Sequence, residues 1–427
     1  MKLFQQMLVA SAALSLIAPI AAQASDINLE EMNSYSRSNS SSKKQKFNSK
    51  TFANEFATLE KSIKTSEVIT NEFEAGSFSD TTTLDNKVVF TLGAVDYDVS
   101  TADESTKFAY MYQANLNTSF TGDDNLYIRL KTGNHDDWLD TKTYGTYLSA
   151  ANGNGDSLKV DKIWYSFPVG DRNTVFIGPK IENYYMHGTS PSIYQPVTKQ
   201  FTLGGNGEAY GASTDTGAGW VFKTDNGFAI STNVGTKSNT STKVSSKYIN
   251  TGLLTNETKT SWATQIGYTK PQYSVSALVN QKYNGWSDEY YHSTGHGPSG
   301  STGNFTSVGL RGWWRPLETG TATPSISVGF DTTNYDGATA ATDQSDAWFA
   351  GLSWNDSFQP DDKVGLAFGQ PTTNESETVT PFAYELYYSF KTNDSTTVTP
   401  TIFGNSDRNG ASGGDVFGAV LNTTFKF

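Results

Sequence analysis

Apolar and polar residues alternate with a period of two along most of the chain from residue 87 onward. The clearest segment is 107–120, where nearly every second residue is apolar or aromatic and most of the others are polar, and 380–391 repeats the pattern. Successive side chains of a β-strand point to opposite faces, so this period predicts strands with one apolar face. Both segments are longer than the average strand of a globular protein.

The same pattern, interrupted by turn residues, predicts sixteen strands. They lie near 87–98, 107–120, 124–133, 158–168, 173–183, 216–224, 227–236, 259–270, 273–284, 304–315, 323–333, 346–355, 362–369, 380–391, 395–405 and 415–427. A further alternating piece, from Glu208 to Ala212, would make the number odd. We assign that piece to the connection 184–215, the third outer loop.

Connections of two kinds alternate between these strands. Several even-numbered ones are tight and hold good hairpin residues, such as Gly170-Asp171-Arg172 and Asp225-Asn226-Gly227. The odd-numbered ones include long segments rich in Gly, Ser and Asn, at 134–157, 184–215, 237–258, 285–303 and 406–414. Bacterial outer-membrane barrels have an even strand number, short periplasmic turns and longer outer loops. The predicted fold class is therefore all-β, a transmembrane antiparallel β-barrel with both chain ends in the periplasm; a soluble sandwich would turn its apolar face inward.

The first 86 residues have a different pattern. Lys2, an apolar run from Leu8 to Ile20 and Ala22-Gln23-Ala24 together predict a signal peptide over residues 1–24. Residues 25–86 are rich in Ser, Asn and Lys at first, which predicts a periplasmic linker of low complexity ahead of the barrel domain, 87–427. Within the linker, apolar residues spaced by four, three and four predict a short amphipathic or coiled-coil helix over about 51–64.

Composition agrees with a barrel and narrows the function classes. Mean hydropathy is -0.47 and no later apolar run is long enough for a membrane helix, yet the chain holds 22 Tyr, 25 Phe and 9 Trp. Cys is absent, so a closed hydrogen-bond ladder has to hold the fold instead of disulfides. A net charge of -12 argues against a nucleic-acid partner. In a pore that acidic balance would favour cations, unless it lies only on solvated loops.

The C-terminus carries the most specific local signal. Counting back by twos from Phe427 gives Phe425 and then further residues that are mostly apolar. An aromatic end with apolar alternate positions is the pattern that outer-membrane barrels present during assembly. Phe425 and Phe427 are therefore the predicted assembly signal, and the barrel-assembly machinery a predicted partner; an ordinary amphipathic strand is the alternative.

A sixteen-stranded barrel leaves a lumen that is open to water, so its wall and any inward loop decide what passes. The longest connection, about 184–215, is the predicted constriction, and an exposed outer loop is the alternative. Its candidate residues are Tyr184, His187, Tyr194, Lys199 and Glu208. Charged residues opposite the apolar face are the pore-lining candidates: Arg129, Lys131, Lys180, Glu182, Arg311 and Glu385. Such charges set the selectivity of a pore, although each could also be a plain solvated wall residue.

Enzymatic and metal chemistry find little support. The four histidines, His135, His187, His292 and His296, all fall in predicted outer loops. No spacing suggests a nucleophile beside a base with an orienting group, so no catalytic residue is predicted. His292 and His296 are four residues apart, but the Ser-Thr-Gly between them makes a helix improbable, and we predict neither a metal site nor a cofactor.

Short motifs distributed over residues 72–427 carry a resemblance to a known family. They are Glu74-Ala75-Gly76-Ser77-Phe78-Ser79, Val88-Val89-Phe90-Thr91-Leu92-Gly93-Ala94-Val95, Leu116-Asn117-Thr118-Ser119-Phe120-Thr121-Gly122, Tyr165-Ser166-Phe167-Pro168-Val169-Gly170-Asp171, Ala209-Tyr210-Gly211-Ala212 and Thr423-Thr424-Phe425-Lys426-Phe427. Together they resemble the cyanobacterial outer-membrane porins, in which an S-layer-homology segment precedes an OprB-like, carbohydrate-selective barrel.

The resemblance implies a homotrimer of sixteen-stranded barrels with an inward third loop. It also implies a periplasmic domain that holds cell-wall polysaccharide, but residues 25–50 are too short and too low in complexity for one. Only a weak cell-wall contact through the N-terminal segment is left as an expectation.

The function hypothesis is a passive outer-membrane channel for small hydrophilic solutes and inorganic ions, with carbohydrates among the solutes that the family description suggests. Outer-membrane lipid surrounds the barrel in this hypothesis. The alternative is a surface-exposed binding or adhesin-type barrel that does not conduct.

Overall fold

The computed structural model describes residues 81–98, 104–141, 144–205, 207–210, 215–238, 253, 258–284, 286, 304–336, 344–374, 377–407 and 412–427. These residues lie in one compact unit, Phe73–Phe427. The predicted signal peptide, most of the predicted linker and the predicted helix over about 51–64 lie outside the described residues. No helix within the described ranges is long and apolar enough to cross a membrane.

Sixteen antiparallel strands form a single closed sheet, which confirms the predicted fold class. They are β1 (Thr82–Tyr97), β2 (Lys107–Thr118), β3 (Asn125–Gly133), β4 (Lys159–Val169), β5 (Asn173–Ile181), β6 (Asp215–Lys223), β7 (Phe228–Ser238), β8 (Thr258–Thr269), β9 (Tyr273–Tyr283), β10 (Asn304–Trp314), β11 (Ser325–Asp336), β12 (Gln344–Asn355), β13 (Lys363–Asn374), β14 (Phe382–Asn393), β15 (Thr396–Ser406) and β16 (Val416–Lys426). Each strand pairs with its neighbours in sequence, and β1 pairs with β16.

The closing pair of strands removes both edges of the sheet. Lys87 of β1 lies opposite Lys426 of β16, and Leu92 lies opposite Leu421. Beyond the last strand residue, the amide of Asn86 donates to the carbonyl of Phe427 over 2.8 Å, and the amide of Phe427 donates back over 3.2 Å. An unpaired strand edge is very costly in hydrocarbon, where no water can satisfy it, so this ladder makes a membrane location possible.

The two faces of the sheet differ in polarity as the alternation predicts. On β8, Trp262 and Ile266 are each 49% exposed, whereas Ala263 and Gln265 are buried inside the barrel. The exposed apolar set recurs on the outer face of strands such as β9 to β11, and it is the face that lipid would cover.

One predicted boundary differs from the structure, and one doubtful segment lies where we assigned it. β1 begins at Thr82 rather than near residue 87, because its first residues pair with the end of β2 although Asp85 and Asn86 weaken the apolar alternation. The alternating piece near Glu208 contains a 3-10 helix, Glu208–Tyr210, inside the third outer loop between β5 and β6, as we assigned it. Two further 3-10 helices, Asn183–Met186 and Lys199–Gly204, lie in the same connection.

Two of the short turns each contain an aspartate whose side chain accepts hydrogen bonds from backbone amides of the turn. Asp124 accepts hydrogen bonds from the amides of Phe120 and Thr121 and, over 2.7 Å, from the hydroxyl of Tyr165. Asp362 likewise accepts from three turn amides and from the hydroxyl of Tyr388 over 2.9 Å. Hydrogen bonds to the ionised carboxylate favour the charged form.

We expect these turns to stabilise the barrel in a pH-dependent way. The hydrogen bond from Tyr165, helped by those from the turn, holds the pKa of Asp124 well below its usual range, despite the opposing effect of burial. A carboxyl with a lowered folded-state pKa stabilises the protein above its unfolded pKa of about 3.9, and this contribution disappears as the pH falls through the folded-state value. Thermal unfolding of detergent-solubilised protein, followed by circular dichroism, should therefore give a lower melting temperature for Asp124→Asn than for wild type at pH 7. The difference in melting temperature should be much smaller at pH 2.

The neighbouring Asp123→Asn variant is the control, because Asp123 is exposed. A difference between Asp124→Asn and wild type that stays the same from pH 7 to pH 2 would contradict this account.

Candidate functional site

The connection between β5 and β6, here called loop 3 (182–214), runs across the inside of the barrel. Its Thr189 amide donates to the side chain of Gln265 on β8 over 2.9 Å. Further along, the Tyr194 amide lies 3.3 Å from the hydroxyl of Ser327 on β11. Since both wall residues point inward, loop 3 narrows the lumen rather than standing outside it.

The middle of loop 3 is fixed by one carboxylate on β14. Glu385 is fully buried and accepts hydrogen bonds from the hydroxyl of Tyr194 over 2.9 Å, the amide of Val197 over 3.1 Å and the amide of Thr198 over 2.7 Å. The hydroxyl of Thr198 donates to it as well. Four hydrogen bonds from loop 3 thus converge on one buried carboxyl group, so this cluster, the Glu385 latch, is a firm attachment.

The end of loop 3 is fixed by buried ion pairs on β9 to β11. Lys282 and Glu208 are both fully buried and paired with each other. Arg311 lies 2.6 Å from Asp331, and its Nε donates to the carbonyl of Leu203 over 2.9 Å. A buried charge is tolerated when it is paired, and both cations here have a carboxylate partner.

Glycines allow the loop to approach the wall this closely. A Cβ on Gly329 of β11 would stand 1.9 Å from the carbonyl oxygen of Gly204, and one on Gly207 would stand 2.1 Å from Cγ of Asp331. Gly204 also has a φ of +74°, which favours glycine. A larger residue at these positions would push loop 3 away from its anchors.

A second connection lies against loop 3. Loop 2 (134–158), between β3 and β4, donates the Ser149 amide to the carbonyl of Val197 over 2.8 Å, and accepts the Lys199 amide at the carbonyl of Tyr147 over 2.7 Å. Its own apolar residues pack on the inner wall, where Leu148 belongs to a buried cluster with Phe403 of β15. Loops 2 and 3 therefore form one connected insert inside the barrel.

The insert leaves part of the inner wall of β1 to β4 partly exposed, and basic side chains line this part. Lys87 on β1 lies opposite Lys426 on one side and opposite Gln113 on the other, and Gln113 lies opposite Lys131 of β3. Residues paired across antiparallel strands point to the same face. Three lysines thus share one row of the inner wall.

The adjacent row, nearer the short turns, contains paired charges. Arg129 of β3 lies opposite Lys162 of β4; Arg129 pairs with Asp161, and Lys162 Nζ lies 2.7 Å from Glu182 at the start of loop 3. Burial opposes ionisation of Glu182, but the nearby Lys162 and Lys199 lower its pKa to about 2. Glu182 therefore stays charged at neutral pH.

We call these cations the basic wall. Its members are Lys87, Arg129, Lys131, Lys162, Lys199 and Lys426, and the carboxylates that lie among them are Asp85, Asp161 and Glu182. The excess of cations makes the local charge positive, opposite in sign to the net charge of -12.

A third row of the same wall is aromatic. Tyr127 of β3 lies opposite Trp164 of β4, with ring centroids 5.1 Å apart. Phe176 of β5 is 5.8 Å from Trp164, and Tyr185 of loop 3 is 5.3 Å from it. Tyr184 stacks beside Tyr185 at 4.5 Å. These rings, the aromatic patch, are contiguous, and Trp164 is the most deeply buried of them.

Of the predicted pore-lining residues, Arg129 and Lys131 lie on this inner wall, Glu182 lies against it at the start of loop 3, and Lys180 does not face the lumen. Lys180 lies opposite Ile163, on the face that points away from the lumen, and its ammonium donates to the carbonyl of Val160 over 2.6 Å. The prediction for Lys180 was wrong because a β-bulge between Gly178 and Ile181 shifts the alternation near the end of β5.

Arg311 and Glu385 do point inward, but they do not line an open passage. Both are buried beneath loop 3, where they hold it to the wall. The alternation along a strand predicts on which face of the sheet a residue lies, but it does not predict whether a loop covers that face.

The predicted constriction-loop residues also fall into two groups, those that are partly exposed near the basic wall and those that are buried. Tyr184 lies beside the basic wall and Lys199 belongs to it, and both are partly exposed. Tyr194 and Glu208 are buried anchors. His187 packs edge-on against Tyr210, with ring centroids 5.4 Å apart, and burial lowers its pKa to about 3, so it is neutral at pH 7.

Sequence reasoning missed Lys87, Lys162 and Lys426. The signal was present for all three, because each alternates with residues that face outward, as Lys87 does with Phe90 and Leu92. Asp161 could not be placed in this way, since a bulge in the β3 and β4 pairing lies beside it.

Comparison with known proteins agrees with this architecture. The pattern of the carbohydrate-selective porin, OprB family, matches residues 40–427. The solved structure of Pseudomonas putida OprB at high pH superposes with a TM-score of 0.56 at 12% identity, over 81% of this chain and 94% of that one. An anion-selective porin from Comamonas acidovorans gives a TM-score of 0.53 at 9% identity, over 81% and 99% of the two chains. At these identities the likeness concerns the fold.

A curated relative adds a sequence match. An uncharacterized protein of Nostoc sp. is 28% identical over 195 residues, which is 43% of this chain. The matched region spans about a third, 32%, of the length of that relative.

Removal of the Glu385 latch should loosen loop 3. In Glu385→Gln an amide group replaces one acceptor oxygen, and each buried donor left without a partner costs about 1–3 kcal/mol. We expect a larger and noisier single-channel conductance in planar lipid bilayers, because the loop can leave the lumen. Tyr194→Phe removes one of the latch donors and should have a smaller effect in the same direction.

The variants are compared only when circular dichroism and heat-modified gel migration show a folded barrel. A folded Glu385→Gln protein with wild-type conductance and noise would show that the latch does not hold the constriction.

Proposed function

The chain belongs to the carbohydrate-selective porin, OprB family, and we propose that it is an outer-membrane diffusion channel for small hydrophilic solutes with a preference for anions. The observation that carries the anion preference is the basic wall beside the loop insert. Fixed charge inside a narrow, low-dielectric passage raises the local concentration of ions of opposite sign.

The net charge of -12 of the whole chain does not oppose a preference for anions. Exposed carboxylates such as Asp225 and Asp361 lie at the short turns, where they pair with Arg172 and Lys391. Salt in bulk water screens such charges over about 8–10 Å, so they act weakly on the middle of the lumen. The residues inside the passage decide the sign.

Family and fold point to a channel rather than to an enzyme. They also disfavour the alternative of a barrel that only displays its loops, because loops 2 and 3 turn inward instead of forming an outer binding surface. The name of the family supports carbohydrates among the solutes. Removal of loop 3 should accordingly widen the passage and lower its selectivity, whereas a purely adhesive barrel would show no change in permeability.

The proposal places the barrel in the outer membrane with both termini in the periplasm, three copies together, and the N-terminal segment free to make weak cell-wall contact. The outward apolar face supports the membrane location. The outward-facing Phe425, whose ring lies 5.3 Å from that of Phe90, and the terminal Phe427 support recognition of the last strand by the assembly machinery.

Lys131 offers a direct test of the sign of selectivity. Among the described residues it makes no ion pair, so its replacement leaves the ion pairs of the basic wall intact. We expect the wild-type reversal potential across a tenfold KCl gradient to show chloride preference, and Lys131→Gln to reduce it. Lys180→Gln is the matched control, because the same charge is removed from the outer face of the barrel.

Cation preference in the wild-type protein would overturn the assignment of the sign. Absence of any conductance in a folded preparation would overturn the channel itself.

A further inference from the structure

We propose that the aromatic patch and the adjoining basic wall form a binding subsite for a sugar that carries a negative charge, such as a sugar phosphate or a sugar acid. This inference rests on the proposed channel function and names its solute class. The basic wall and the aromatic patch are neighbouring rows of one surface, so a single solute of the size of a hexose can touch both.

The aromatic patch needs an explanation, because a wall that only conducts inorganic ions has no use for rings. Tyr127, Phe176, Tyr184 and Tyr185 remain partly exposed on the inner side. Part of the cluster packs loop 3 against the wall through Trp164 and Met186, but that packing leaves ring surface uncovered. The electron-rich face of an aromatic ring attracts the weakly positive C–H groups on one face of a pyranose. A sugar ring would therefore cover surface that is otherwise in contact with water.

Charge and rings meet at Arg129. Its Nη1 donates to the hydroxyl of Tyr185 over 3.3 Å, and Lys162 Nζ lies 5.9 Å from the centroid of the same ring. Lys131 projects from the same strand as Arg129, two residues closer to the long loops. A phosphate or carboxylate attached to a sugar on the rings thus lies within reach of two cations that belong to β3.

Polar side chains for the sugar hydroxyls lie alongside. Asn115 accepts a hydrogen bond from the Tyr127 hydroxyl over 2.8 Å and stands opposite Arg129. Asn117 stands opposite Tyr127 and accepts from Asn125 over 3.1 Å. These amides hold further donors and acceptors along the border of the aromatic patch, which suits a ligand with many hydroxyls.

The combination favours an anionic sugar over either simpler solute. A neutral sugar would use the rings and leave the excess positive charge unmatched. An inorganic anion would use the charge and leave the rings uncovered. A solute with both parts gains from both, and the aromatic contribution alone corresponds to roughly three- to tenfold in affinity.

Current block in planar bilayers tests the proposal with the full-length protein. Glucose 6-phosphate, glucose and inorganic phosphate are titrated separately, and the concentration that halves the ion current is read for each. We expect glucose 6-phosphate to act at a concentration at least about threefold below that of the other two.

Two variants separate the contributions. Tyr127→Leu should weaken block by glucose 6-phosphate and by glucose but not by inorganic phosphate. Arg129→Gln should weaken block by glucose 6-phosphate and by inorganic phosphate but not by glucose. Lys180→Gln, on the outer face, should change none of them.

Equal block by glucose 6-phosphate and inorganic phosphate would overturn the role of the rings, and equal block by glucose 6-phosphate and glucose would overturn that of the charge. Either result in a conducting protein leaves the channel function standing. A folded protein that does not conduct at all would instead remove the premise.

Discussion

The closed hydrogen-bond ladder is the constraint on which the rest of the structure depends. Lipid offers no partner to an unpaired amide or carbonyl, so the sheet must end where it begins, and β1 pairs with β16 over eleven residue pairs. Closure with sixteen strands encloses a lumen too wide for wall side chains to fill. Something other than the strands has to narrow it, and here loops 2 and 3 do so from within.

Inward-pointing charges consequently serve two purposes. On β9 to β14, Lys282, Arg311 and Glu385 are covered by loop 3, and each is matched to loop or wall partners that keep the insert in place. On β1 to β4, Lys87 and Lys131 are partly exposed on the inner wall. The same residue types on the same face of one sheet therefore anchor a loop in one sector and, in the function that we propose, select solutes in another.

This division explains how an acidic protein can carry a row of basic residues on its inner wall. Net charge sums over rim and loop carboxylates such as Asp225, which water screens, whereas selectivity depends on the few groups left inside. The aromatic patch lies next to those groups because β3 and β4 carry both, with Tyr127 two residues from Arg129 and Trp164 two residues from Lys162. Tyr127 lies opposite Trp164 and Arg129 lies opposite Lys162, so the aromatic pair and the basic pair form adjacent rows across β3 and β4.

The sequence by itself determined the fold class, the number of strands, their approximate bounds and the face on which most residues lie. Those properties depend on a period of two and on turn residues, which are local. Only the tertiary structure decided which inward residues are covered, because the contact of Glu385 with Thr198 joins positions 187 residues apart. It also decided on which face of the sheet Lys180 lies. A β-bulge depends on how two strands pair, so the alternation within one strand's sequence does not reveal it.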